Sequence, residues 1–212
     1  MILAIDSSGG ELVVCLLGED LAVVSGRCLP GRRHQEAILD IVEDVLGGRE
    51  HVARLDAIAV VRGPGSQTGL RVGLAAAEGL SFASRRPLQP LSSLAVAAHR
   101  VPVAGDLIAG VSLVAAVSAG RSNVYAQLFQ GRGTARIAMG ERVLAAVPDI
   151  HGRLKIEHQV PLGAEAAVHA LFGERLPGSL VGAVDALAGA TREALSASAA
   201  VSYHGLTGDY GE

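Results

Sequence analysis

A two-lobed α/β fold, with mixed sheets flanked by helices, is the architecture this 212-residue chain predicts, and three observations predict it. Three strand-like runs precede the first helical pattern. An apolar strand then passes through a glycine-rich loop straight into a second helix. Beyond residue 105 a second series of apolar runs and helical patterns follows the same strand-then-helix plan, although no repeat shows in the letters themselves. The first lobe is read as 1–104 and the second as 105–212, with the last helix free to pack back on the first lobe.

Each element has a local reason. Ile2 to Ile5 opens the sheet, and Leu12–Leu17 and Leu21–Ser25 form a hairpin around Gly18-Glu19-Asp20. Pro30-Gly31 breaks the chain before a helix from about His34 to Leu46, which Gly47-Gly48 closes. Ala57–Val61 is the strand before the glycine loop, and Thr68 is the expected N-cap of the helix after it. Three antiparallel strands followed by helix-linked strands are the plan of one lobe of an actin-like (ASKHA), ribonuclease-H-like fold. Val101-Pro102-Val103-Ala104-Gly105 reads as the connection between lobes. Leu107–Val117 is too apolar for a one-faced strand and is expected buried. Strands Val124–Gln130 and Ala135–Met139 follow, then helices near Ala164–Phe172 and Val184–Ala199 and a frayed, glycine-rich end.

Composition narrows the function classes. Half the residues are apolar, yet only three Phe and three Tyr occur beside 27 Gly, so the core must be close-packed Ala, Val, Leu and Ile. A formal charge of −3 gives no footprint for gripping nucleic acid unaided. The N-terminus enters a strand without a basic leader and no apolar run is long enough to cross a bilayer, so a cytoplasmic protein without a membrane association is expected. Cys28 is expected opposite about residue 10, roughly 16 Å along the strand from Cys15 at about 3.3 Å per residue. A disulfide needs Cα atoms within about 7 Å, so the two cysteines are expected to stay free.

The stretch Gly63-Pro64-Gly65-Ser66-Gln67-Thr68-Gly69-Leu70-Arg71-Val72-Gly73 is built to hold backbone close to something. Pro64 is expected to bias Gly63 to an extended shape. Strand, glycine loop and helix N-terminus suit an anion. No Gly-Lys-Ser/Thr closes the loop, and the glycine spacing is not that of a dinucleotide fingerprint, so a structural turn with close helix packing is favoured over phosphate binding, which stays open. Asp6 after the first strand allows two roles as well, a carboxylate near magnesium and phosphate or the cap of the Ser7-Ser8 turn. No two of the seven histidines stand three or four residues apart, so no helical metal clamp is available. No Gly-x-Ser-x-Gly surrounds Ser66, and no Cys neighbours a His.

The glycine loop resembles the signature of the TsaB (YeaZ) family, with Gln67 where Phe is usual. Ile2-Leu3-Ala4-Ile5-Asp6-Ser7-Ser8 is similar to the family's opening strand, Arg33-His34-Gln35-Glu36 before Ile38-Leu39 to the start of its first long helix, and Val117-Ser118-Ala119-Gly120-Arg121-Ser122-Asn123-Val124-Tyr125-Ala126 to its second-lobe strand pair. Ser118-Ala119-Gly120 departs from the family's Asp-Ala-Arg. The resemblance covers about residues 1–130. It implies a non-catalytic scaffold that binds and stabilises TsaD for threonylcarbamoyl transfer to the adenosine beside the anticodon of tRNAs reading codons that begin with A. It implies no cofactor in the isolated chain, tRNA contact only through the complex, an ATPase partner TsaE, a possible homodimer, and a vestigial nucleotide site at Asp6 and Ser7. The catalytic paralogue holds its metal with two histidines one helical turn apart, and here the partner position to His34 is Ile38. The rival readings are an ATP-binding actin-like enzyme using Asp6 and the Gly63–Gly73 loop, and an inactive peptidase-like homodimer.

Two helices carry the expected interface. At 100° per residue, Ile38, Leu39, Ile41, Val42, Val45 and Leu46 cover an arc of roughly 160°, more than the ~100° that one sheet needs. The excess fits either a deeply embedded helix or apolar surface kept for another protein. On the second helix Gly69, Gly73, Ala76, Ala77 and Gly79 make a small-residue surface. The resemblance favours the partner, which assigns His34, Ile38, Leu39, Ile41, Val42, Val45, Leu46, Leu70, Val72, Gly73, Ala76 and Gly79 to its binding.

Overall fold

From its first residues the chain builds a sheet. In the computed structural model, which describes residues 1–31, 34–101, 112–132, 134–156, 162–164 and 182–197, strands β1 (Ile2–Asp6), β2 (Glu11–Leu17) and β3 (Val23–Pro30) run antiparallel. Helix α1 (His34–Leu46) leads through a 3-10 turn (Arg49–Arg54) to β4 (Ala57–Gly63), which pairs parallel with β1. Helix α2 (Gln67–Ser84), β5 (Leu88–Ser92) and α3 (Ser93–Ala98) complete the order β3-β2-β1-β4-β5.

The hairpin register differs from the expected one. Val13 lies opposite Cys28 and Cys15 opposite Gly26, because Leu21 takes a φ of +60° and the second strand starts only at Val23, with a bulge at Leu16/Leu17. Both cysteines are free, Cys15 buried and Cys28 exposed. Burial pushes the Cys15 thiol up to about 12.

Alternation along the strands gives the sheet two apolar faces. Leu3, Ile5, Val14, Leu16, Ile58, Val60 and Leu88 point towards Ile38, Val42, Val45 and Leu46 of α1 and Leu74 and Ala77 of α2. Ala4, Val13, Cys15, Ala59, Val61 and Leu91 point the other way, and Ala186, Leu187 and Ala190 of the last described helix, α5 (Ala183–Ala197), cover them.

The second sheet has the order β8-β7-β6-β9, from β6 (Ser112–Ser118), β7 (Asn123–Arg132), β8 (Ala135–Ala146) and β9 (Leu162–Gly163). Strand β8 runs seven residues past the expected end at Met139, since Gly140 at φ +68° absorbs a register shift and pairing resumes at Val143 opposite Ala126. Leu113 to Ala116 are buried, as the apolar run predicts. Helix α3 packs Leu94, Ala97 and Ala98 against Leu113, Ala115 and Phe129 of this sheet, while a short helix α4 (Ile150–Leu154) places Ile150 on its other face. The connection from Pro102, the start of the run at Leu107, the helix near Ala164–Phe172 and the chain end lie outside the described residues. Among the described residues no helix is long and apolar enough to cross a membrane.

Candidate functional site

Gly63, Pro64 and Gly65 turn the chain between β4 and α2. Gly63 has φ +123°, a region open to glycine, rather than the extended shape expected before proline, and the Gly63–Pro64 peptide is cis. The N-cap is Ser66, not Thr68. Ser66 keeps an extended backbone and its Oγ accepts from the Gly69 N–H at 3.3 Å, whereas Thr68 already lies inside the helix.

Glycines at 65, 69 and 73 recur every four residues and so face one way along the helix start. What they face is the chain's own β1–β2 turn. A Cβ at Gly65 would stand 2.5 Å from the Ser8 carbonyl oxygen, one at Gly69 2.0 Å from the Ser7 carbonyl oxygen, and one at Gly73 2.3 Å from Ser7 Oγ. The Ser66 N–H donates to the Ser8 carbonyl at 2.8 Å, and Ser7 Oγ donates to the Gly69 carbonyl at 2.8 Å. Ser93, which nothing in the sequence singles out, ties the loop from behind by donating to the Pro64 carbonyl.

Asp6 closes the same turn. Its Oδ1 accepts from the Ser8 N–H at 2.9 Å and from Ser8 Oγ at 2.7 Å. Burial raises its pKa, and the two Ser8 hydrogen bonds and the more distant Arg100 offset this only in part. Arg100 itself donates to Glu11 at 2.8 Å. Asp6, Ser7 and the glycine loop, separate in the sequence, are thus one unit, and the space beside its glycines is filled by Ser7 and Ser8. An anion at that face has to displace the turn.

The helix pair divides the expected interface residues. Ile38, Val42, Val45 and Leu46 are buried in the chain's own core, Val42 to 3% and Val45 to 2% exposure, as are Leu70, Gly73 and Ala77. They are core positions of this chain: α1 lies on the sheet beside α2, so its wide apolar arc is largely consumed at home. Gly69 and Gly73, held against Ser7, are likewise unavailable as a seat for another helix. What stays outside is Leu39 at 61% exposure, Ile41, Val72 and Ala76 in part, Arg71, and Gly79 with open space above it. Phe82, at 73% exposure on α2, belongs with these, and its only sequence signal is one large apolar residue at the helix's polar end. His34 starts α1, and its side chain lies outside the described residues.

Among the described residues no three His, Cys, Asp or Glu side chains gather as a metal cluster. A groove of about 440 Å³ between Ser92, Leu94, Gln127, Glu141 and Arg142 holds none of the residues singled out from the sequence.

Comparison with known proteins agrees with this architecture. The family profile described as TsaD: tRNA N6-adenosine threonylcarbamoyltransferase matches residues 29–192. The chain is 35% identical over 127 residues to the tRNA threonylcarbamoyladenosine biosynthesis protein TsaB of Haemophilus influenzae, covering 58% of this chain and 51% of that protein. It is 31% identical over 130 residues to TsaB of Bacillus subtilis, covering 61% and 55%. It is 34% identical over 111 residues to the tRNA N6-adenosine threonylcarbamoyltransferase of Streptococcus agalactiae, covering 44% and 33%. The aligned part of the chain spans about half the length of the TsaB relatives. Among solved structures, YeaZ from Pseudomonas aeruginosa superposes with a TM-score of 0.72 at 25% identity, over 99% of this chain and 98% of that one. The fold is the actin-like, ribonuclease-H-like one that the order of elements predicts.

Proposed function

The chain belongs to the family described as TsaD, tRNA N6-adenosine threonylcarbamoyltransferase, and within it to the TsaB (YeaZ) proteins, and on that premise we propose that it acts in tRNA threonylcarbamoyladenosine biosynthesis as a non-catalytic subunit. It binds and stabilises a TsaD-type transferase, which carries out the threonylcarbamoyl transfer. The tRNA meets this chain only through the complex, an ATPase of the TsaE type attends the pair, and the chain also pairs with itself when the transferase is absent.

The observation that carries this reading is the outer side of α1 and α2, where Leu39 and Phe82 stand in solvent and Ile41 and Val72 are half-covered. Large exposed apolar side chains on two adjacent helices suit burial by another protein, and aromatic and aliphatic anchors of this kind dominate interface energetics. Two further features support it. The position one turn after His34 holds Ile38, buried in the core, where a second metal-ligating histidine would be needed for the transferase chemistry. The glycine loop grips the β1–β2 turn through Ser66 and Gly69, which makes it a brace that sets the angle of α2.

The test is capture of TsaD and reconstitution of tRNA modification with this chain added or omitted. Leu39→Asp and Phe82→Asp leave the fold intact and weaken capture about tenfold or more. Undiminished capture by the folded double variant, or modification that proceeds equally without this chain, would overturn the reading.

A further inference from the structure

Helix α5 is seated on the first sheet by two close approaches and one polar clasp. Val184 enters the space over Gly26 of β3, where a Cβ would lie 2.5 Å from Val184 Cγ1. His99, at the C-terminal end of α3, lies against Gly189 of α5, where a Cβ would lie 2.6 Å from His99 Nδ1. One turn further along α5, Glu193 Oε2 accepts from His99 Nε2 at 3.0 Å and from the backbone N–H of Arg136 at 2.8 Å. Arg136 belongs to β8 in the second sheet, is buried, and sends its Nη2 to the Val101 carbonyl at 2.9 Å, just past α3. A single carboxylate oxygen therefore touches the helix that covers the first sheet, the helix that abuts the second, and the strand at the second sheet's edge.

We propose that Glu193 is a clasp that couples the two lobes, so that α5, the end of α3 and the start of β8 open and close together as one unit. The geometry distinguishes this from ordinary helix docking. Among the described residues, the apolar side of α5, through Ala186, Leu187 and Ala190, joins the core of the first sheet, and Glu193 makes the hydrogen bond to β8. The hydrogen bonds are charge-assisted and half-buried, which is the setting in which removing one partner is costly. Val184 and Ala190 hold α5 in place without it, so loss of the carboxylate loosens the junction and leaves the helix on its sheet.

The test is amide hydrogen exchange on the full chain, comparing the parent with Glu193→Ala and Glu193→Gln. Loss of one such clasp corresponds to about tenfold faster exchange where local opening governs the rate. The expected result for Glu193→Ala is acceleration of that order in three segments at once, 190–197, 97–101 and 135–138, with β1, β4 and α1 unchanged. Glu193→Gln, which keeps an acceptor oxygen and loses the charge, gives a smaller rise in the same three segments. Combining Glu193→Ala with His99→Gln adds little beyond Glu193→Ala alone, because the carboxylate that His99 meets is already gone. Acceleration confined to 190–197, no acceleration, or a spread over the whole chain would each overturn the proposal.

Discussion

The two faces of the first sheet are covered by different means. On one, α1 and α2 lay down large aliphatic side chains and still leave Leu39 and Phe82 outside. On the other, α5 brings alanines and two leucines, sinks a valine over Gly26, and makes the polar contact of Glu193 with His99 and Arg136. The first face is thick and keeps apolar surface in reserve. The second is thin and closed by fit. A sheet of this kind can show a partner one side while using the other to hold its own halves together.

The largest effect is expected from charging the buried side of α1. Val42→Asp places a carboxylate in a core position and should cost about 4 kcal/mol or more, enough to unfold much of the population, whereas Leu39→Asp on the outside should change stability by about 0.5 kcal/mol or less. Chemical denaturation of the two variants side by side checks this, and equal losses would show that the helix is not oriented as described. The next effect is steric. Gly69→Ala drives a Cβ into the backbone of Ser7 and should cost about 3 kcal/mol, while Gly26→Ala meets only a valine side chain that can turn aside and should cost about 1 kcal/mol. Thermal midpoints in the reverse order would mean that α5 and not the glycine loop is the tighter fit.

The smallest effect separates two carboxylates by pH. Asp6 has a raised pKa because burial outweighs its hydrogen bonds, so the folded state holds its proton more firmly than the unfolded chain. Its contribution to stability is greatest in acid and declines as pH rises from the ordinary aspartate value, about 3.9, through the raised one. Glu193 is opposite: burial raises its pKa, but the hydrogen bonds from His99 and Arg136 and their charges together hold it low. Its contribution is present above the ordinary glutamate value, about 4.3, and is lost as pH falls through the depressed one. Asp6→Asn, which keeps an acceptor for both Ser8 bonds, should stabilise the chain at pH 7 and leave stability below the ordinary aspartate value, about 3.9, unchanged. Glu193→Gln should flatten the acid limb. Denaturation midpoints between pH 3 and 7 measure both.

How far these features can be read ahead from the residues differs from place to place. Helix α1 is legible to the residue because Pro30-Gly31 and Gly47-Gly48 bracket a clean amphipathic pattern. Strand β8 is read too short because Gly140 looks like an end when it is a bulge inside a continuing strand. The wide arc of α1 misleads for a general reason: periodicity reports which positions are apolar and not what covers them, so buried Val42 and exposed Leu39 look alike. The glycine loop is recognisable, but its occupant is not, since nothing local to Gly69 says that Ser7, 62 residues earlier, will fill it. The clasp at Glu193 joins three elements far apart in the chain and leaves no local signal at all.

Helix α3 follows β5 without an intervening loop, Ser93 directly after Ser92, and yet its apolar side lies against Leu113 and Phe129 of the other sheet. The last six-residue turn of one half is therefore part of the core of the next. Cutting the chain near residue 104 would strip Leu113, Ala115 and Phe129 of their cover in one fragment and leave Leu94, Ala97 and Ala98 bare in the other.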